Sequence, residues 1–169
     1  MRNIKVILQY EGTKYQGWQR QESTKNTIQG RLEALLTKMC GQKVEVDGSG
    51  RTDAGVHAYG QVANFHIDTK MSLSEIMDYM NRYLPEDIAV IDIAEMPGRF
   101  HSRLNAKGKT YQYRVINSAV PHIFDRRYAH VVEEDLDMEA MRRAAKVLCG
   151  THDYKAFTSS KKSGKSTVR

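Results

Sequence analysis

RNIKVILQY, residues 2–10, places Ile4, Val6, Leu8 and Tyr10 at every second position, the period of a strand with one face in a core. Outward from it, a glycine-containing loop leads to Thr27, a helix-capping residue type. Ile28, Leu32, Leu35, Leu36 and Met39 then share one helical stripe that Gly41 ends. A short strand over 44–49 follows, and another over 61–67 alternates Ala63, Phe65 and Ile67 against Val62, Asn64 and His66. Ser72 and Glu75 make a capping-box pattern for a second helix with Leu73, Ile76, Met77 and Met80 inward. Pro85 closes that segment, and Ile88 to Ile93 reads as a strand. The order β-α-β-β-α-β predicts an α+β fold of the ferredoxin-like kind, a mostly antiparallel sheet with two helices on one face. The other sheet face is left open, a surface that many RNA-binding folds use.

After the breaker Met96-Pro97-Gly98 the pattern starts again. Residues 107–116 predict a strand with Tyr111, Tyr113 and Val115 on one side, and Asp137 to Cys149 a helix with Met138, Met141, Ala145 and Leu148 inward. A strand and a helix cannot close a core alone. Residues 1–97 are therefore expected to form one complete unit, and 98–169 the first part of a second, incomplete unit of the same type.

Among the 169 residues, 26 Lys and Arg against 20 Asp and Glu give a net charge of +6, which favours a polyanionic partner. The segment from Arg99 to Arg127 carries seven basic residues against the single acid Asp125, although a solvated face gives the same run. No apolar run approaches the ~18 residues of a membrane span, and the N-terminal residues alternate as a strand and not as a signal peptide. Cys40 and Cys149 lack any metal-ligand spacing and are expected to be buried or half-buried free thiols in a reducing cytoplasm. Neither a metal nor a cofactor is expected.

The densest local signal is GSGRTDAGVHA, residues 48–58. Three glycines bend the chain and permit close approach of a ligand backbone. Arg51 offers a fork for phosphate or a flat surface for stacking, and Asp53 a carboxylate two positions on. A strand connection with an exposed ion pair has the same residues. A dinucleotide-binding loop does not fit, because the last glycine and the following amphipathic helix are both missing.

Residues 50–58, GRTDAGVHA, resemble the signature of the tRNA pseudouridine synthases that act on the anticodon stem–loop. YQGWQRQ (15–21), RFHSR (99–103) and KGKTYQYR (107–114) are similar to further segments of that family, in order and spacing. The resemblance implies a two-domain fold of ferredoxin-like halves. It implies a reaction that breaks the N-glycosidic bond of uridine, turns the base and rejoins it through carbon, without redox change or an external energy source.

The resemblance places the essential carboxylate at Asp53, acting by attack on sugar or base or by removing a sugar proton. A stacked uridine must first be extruded, at a cost of a few kcal/mol. Arg51 then fills the vacated stack or holds the displaced backbone, with Thr52 beside it in the substrate site. Tyr111 stacks on the flipped uracil, worth roughly 1–3 kcal/mol, unless it is a core residue of its strand. Phe100, His101 and Arg103 are expected beside the target base, and Lys161, Lys162 and Lys165 on phosphates. His57 is read as a structural hydrogen-bonding residue and Trp18 as loop packing or an RNA contact.

The resemblance implies tRNA as the partner and, for the full-length protein, a cytoplasmic homodimer. The family's later segments, an apolar wall and another arginine, have no counterpart here, so this chain is expected to carry the carboxylate side of the site and to be weakly active or inactive alone. A non-catalytic RNA-binding module and a protein-interaction scaffold are the competing readings.

Overall fold

The computed structural model describes residues 1–158 and 166–168. The chain divides into two compact units, Met1–Tyr111 and Gln112–Arg169.

The first unit runs β1 (Arg2–Tyr10), α1 (Ile28–Cys40), β2 (Val46–Gly48), β3 (Ala58–Ile67), α2 (Leu73–Tyr83) and β4 (Ile88–Met96). The sheet order is β2-β3-β1-β4, with every neighbouring pair antiparallel. Sequence order and sheet order together make this the ferredoxin-like arrangement that the alternation predicts. Ile4, Val6, Leu8 and Tyr10 face Phe65, Ile67, Ile88 and Val90 across one side of the sheet, against Ile28, Leu32 and Leu36 of α1 and Ile76 and Met80 of α2, and all are buried. Period two in the strands and period 3.6 in the helices meet in one core, so patterning alone specifies it.

Both helix starts are chemically satisfied. The Thr27 hydroxyl accepts the Gly30 amide at 3.1 Å. Ser72 and Glu75 form the reciprocal capping box, Glu75 Oε2 accepting the Ser72 amide at 2.7 Å and Ser72 Oγ the Glu75 amide at 3.2 Å. The Ser72 amide, and the Ser72 hydroxyl at 2.8 Å, hold the exposed Glu75 carboxyl below the ordinary carboxylate range. Ser72→Ala is expected to cost about 1 kcal/mol, read as a lower thermal midpoint.

The second unit has β5 (Val115–Asn117) parallel to β6 (His130–Val132), then α3 (Met138–Leu148) and a single 3-10 turn, Lys155–Phe157. The strand expected over 107–116 forms only from Val115 onward. Among the described residues β6 reaches this segment only at its end, the His130 amide donating to Arg114 O at 2.8 Å, and no strand lies alongside 107–113 to take up their backbone groups. The helix forms, capped by Asp137 on the Ala140 amide at 2.8 Å. Its apolar stripe does not turn inward, however. Met138, Met141 and Leu148 are all about half exposed, and no hydrophobic side chain of this unit is buried among the described residues. Cys40 is half-buried, its thiol pushed up by desolvation, whereas Cys149 is exposed, against expectation; both are free.

Candidate active site

Between β2 and β3 the chain makes the loop that carries Arg51, Thr52 and Asp53, and a second loop, residues 12–18, grips it from both sides. The Trp18 amide donates to Thr52 O at 3.0 Å, and the Gly55 amide to Tyr15 O at 3.2 Å. The Gly12 amide donates to His57 Nδ1 at 3.0 Å. From the sheet end, the Tyr10 hydroxyl meets Thr52 Oγ1 at 3.0 Å. Burial pushes the Tyr10 phenol up, so this partner keeps its proton. Between the tied flanks a tight turn closes with the Val56 amide donating to Asp53 O at 3.2 Å.

Asp53 therefore sits on a fixed backbone with an exposed side chain. Among the described residues its carboxylate has no hydrogen bond or ion pair, and none joins it to Arg51, which is also exposed. The second loop is itself anchored. Tyr15 is buried, its hydroxyl bonded to Asp87 and its phenol pushed up by desolvation and by that carboxylate. Trp18, 2% exposed, lies against the bare Cα of Gly48 and beside the Tyr10 ring. Tyr10→Phe, which leaves the Thr52 hydroxyl without this partner, is expected to cost about 1 kcal/mol of stability and to slow any reaction at Asp53 several-fold, measured by melting and by rate.

Beside this loop lies an open cleft of about 480 Å³. Arg51, His101, Arg103 and Lys109 line it together with Asp47, Gln19, Gln29 and the packed face of Trp18. Three full cations against one carboxylate make it a place for an anion. Its floor is rigid. Gln29 Oε1 accepts from Gln19 Nε2 at 2.9 Å and the Arg20 amide at 2.8 Å, while Gln29 Nε2 donates to Val46 O and Glu33 Oε1. Glu33 is buried and also meets Arg20 Nη1 at 2.7 Å and the Val46 amide at 3.1 Å. His101 Nε2 stands 3.7 Å from Asp47 Oδ1.

The structure thus brings Arg51, His101 and Arg103 to one cleft and sets Thr52 and Asp53 on the adjoining loop. Phe100 is half-buried and Tyr111 exposed, and neither lines the cleft. Lys161, Lys162 and Lys165 lie outside the described residues. Of the three loop glycines, two make room for the protein's own side chains. Gly48 accommodates Trp18, and Gly50 accommodates Lys109, whose Nζ occupies the place a side chain would take. Lys109 belongs to the basic run and to the resembling segment 107–114, whereas nothing local in the sequence marks Gln29 as a site residue. Among the described residues no cluster of three or more His, Cys, Asp or Glu could hold a metal. None of their helices is long and apolar enough to cross a membrane.

A family model described as tRNA pseudouridine synthase matches residues 6–105, the stretch that contains both the gripped loop and the cleft. The chain belongs to the tRNA pseudouridine synthase family, whose members are isomerases. It is similar over all 169 residues to the tRNA pseudouridine synthase A of a Bacillus species (46% identical), to tRNA pseudouridine synthase A 2 of Bacillus cereus (44%) and to tRNA pseudouridine synthase A 1 of Clostridium tetani (47%). In each case the match spans the whole of this chain and 69% of the relative.

Proposed function

We propose that the chain converts uridine to pseudouridine in the anticodon stem–loop of tRNA, with Asp53 as the catalytic carboxylate. The observation that carries this is a solvent-facing, unpartnered Asp53 on a doubly tied loop that borders a cleft lined by Arg51, Arg103 and Lys109. A pure RNA binder gains nothing from a carboxylate at that place, because it repels the phosphates it must hold.

The nucleotide is extruded toward the loop, Arg51 occupies or supports the gap in the stack, and Thr52 lies beside the sugar. Asp53 then acts on the ribose or the base while the glycosidic bond moves from nitrogen to carbon; the proton on the receiving carbon leaves, and the released nitrogen takes one up. Tyr111, exposed on the segment after Lys109, supplies a face for the turned base, and Phe100, His101 and Arg103 hold the flanking backbone. Lys161, Lys162 and Lys165 add phosphate contacts. In this reading residues 1–97 carry the catalytic loop, residues 98–169 begin a second α+β unit, and the full-length protein works as a cytoplasmic homodimer.

The test uses unmodified tRNA carrying tritium at C5 of uridine, the carbon that gains the new bond. A form extended at the C-terminus to the relatives' length is expected to release tritium to solvent and this chain to release little or none, both binding that tRNA with an affinity that falls steeply with salt. Salt-sensitive binding with no release by the extended form supports the non-catalytic module instead, and negligible binding supports the scaffold.

A further inference from the structure

Three polar side chains that the proposed chemistry does not use, those of Asn3, Asn64 and Ser102, are buried together on the face of the sheet away from the helices. Asn3 on β1 and Asn64 on β3 are diagonal neighbours, 2% and 1% exposed. Asn64 Nδ2 donates to Asn3 Oδ1 at 3.1 Å, and Asn3 Nδ2 donates to Pro97 O at 3.0 Å and Phe100 O at 2.9 Å. Asn64 Oδ1 accepts the Ser102 amide at 2.8 Å, and the Ser102 hydroxyl donates to Asp47 O, on the edge strand β2, at 2.7 Å. Ser102 is 2% exposed, yet its neighbours His101 and Arg103 both line the cleft. Within the segment, the His101 amide is held by Asn105 Oδ1 at 2.9 Å and the Arg103 amide by His101 Nδ1 at 3.2 Å.

Burying two primary amides on a sheet face has no packing advantage over two aliphatic residues of like size, and any half-satisfied member is costly. Of the five bonds, three reach the backbone of one irregular segment (Pro97 O, Phe100 O and the Ser102 amide), one joins the two asparagines and one ties Ser102 to β2. Apolar residues would bury the same surface without fixing where that segment lies.

We infer that Asn64, with Asn3 and Ser102, is a positioning residue for tRNA: the amide relay sets residues 97–103 at one height over the sheet and so holds Arg103 across the cleft from Arg51 and Lys109. The ligand addressed is the phosphodiester backbone next to the extruded nucleotide, so the inference rests on the tRNA reading above. Asn64 touches no RNA itself and acts through the Ser102 amide.

The test is the affinity of the chain for unmodified tRNA across a salt series, for wild type, Arg103→Ala, Asn64→Ser and the double variant. Arg103→Ala is expected to weaken binding about tenfold and to lower the salt slope by about one, the loss of one phosphate contact. Asn64→Ser is expected to reproduce both effects, and the double variant to lie within about twofold of Arg103→Ala. A merely destabilised variant loses bound fraction without changing the slope. An unchanged slope in Asn64→Ser, or losses that multiply in the double variant, overturns the inference while leaving the tRNA reading standing. Wild type that binds without salt dependence sinks the tRNA reading itself. Should Asn64→Ser melt below the assay temperature, Ser102→Ala decides by the same coupling to Arg103, since it deletes one hydroxyl bond and keeps the amide bond.

Discussion

Asp53→Asn is expected to abolish pseudouridine formation, by on the order of 10³-fold or more, while tRNA affinity stays equal or improves. The substitution keeps the shape of the side chain and removes its charge and basicity. Because the carboxylate is exposed and makes no bond within the described chain, no structural contact is lost. Stability should therefore hold to within about 0.5 kcal/mol, the usual range for surface changes. A 10³-fold fall corresponds to about 4 kcal/mol of transition-state stabilisation, too large for a positioning effect at an exposed site. Affinity has reason to rise, since one negative charge is withdrawn from beside a cleft that three cations line. Single-turnover rates and binding measured on the same preparation separate the two effects.

Gly17→Ala is expected to lower the rate about 100-fold with a smaller loss of tRNA affinity. Gly17 has φ +83°, a conformation that carries a cost of roughly 1–2 kcal/mol for a residue with a side chain. The added Cβ also falls 2.5 Å from Thr52 O and 3.1 Å from the Asp53 carbonyl carbon. Those atoms are backbone, held by the Trp18 amide, and cannot swing aside as a flexible side chain would. Either loop 12–18 or the Asp53 turn must shift by about an ångström, a displacement that commonly costs about 10² in rate when it moves a catalytic group. Of the cleft's cations, Arg103 and Lys109 stand on other segments and only Arg51 shares the displaced loop, so binding suffers less. Comparing rate and affinity of Gly17→Ala at a temperature below its melting midpoint checks this.

The first unit was legible because each of its elements states its role locally. Ile4, Val6, Leu8 and Tyr10 alternate, Ser72 and Glu75 bracket a helix start, and Thr27 precedes an apolar stripe; tertiary packing only completes what these patterns specify. The second unit resisted the same reading. Tyr111 and Tyr113 alternate like strand residues, but a strand exists only where another chain segment accepts its hydrogen bonds. The stripe of Met138, Met141 and Leu148 has helical spacing and still finds no core among the described residues.

At the site, Asp53, Arg51 and Arg103 stood out through motif and charge, whereas the grip of loop 12–18 on the Asp53 turn did not. Nothing local in YQGW says that its glycine will lie against Thr52 O. Similarly, Asn3 and Asn64 looked like ordinary outward-facing strand residues, and their burial depends on a segment more than thirty positions farther along the chain.

A structure of the chain bound to an anticodon stem–loop RNA measures the central relation directly, as the distance from the Asp53 carboxylate to the target uridine. A uridine turned out of its stack, with its sugar or base within about 3 Å of that carboxylate and its flanking phosphates against Arg103 and Lys109, is the predicted result. A uridine still stacked in the stem, or an RNA strand crossing another face and leaving Asp53 in solvent, contradicts it.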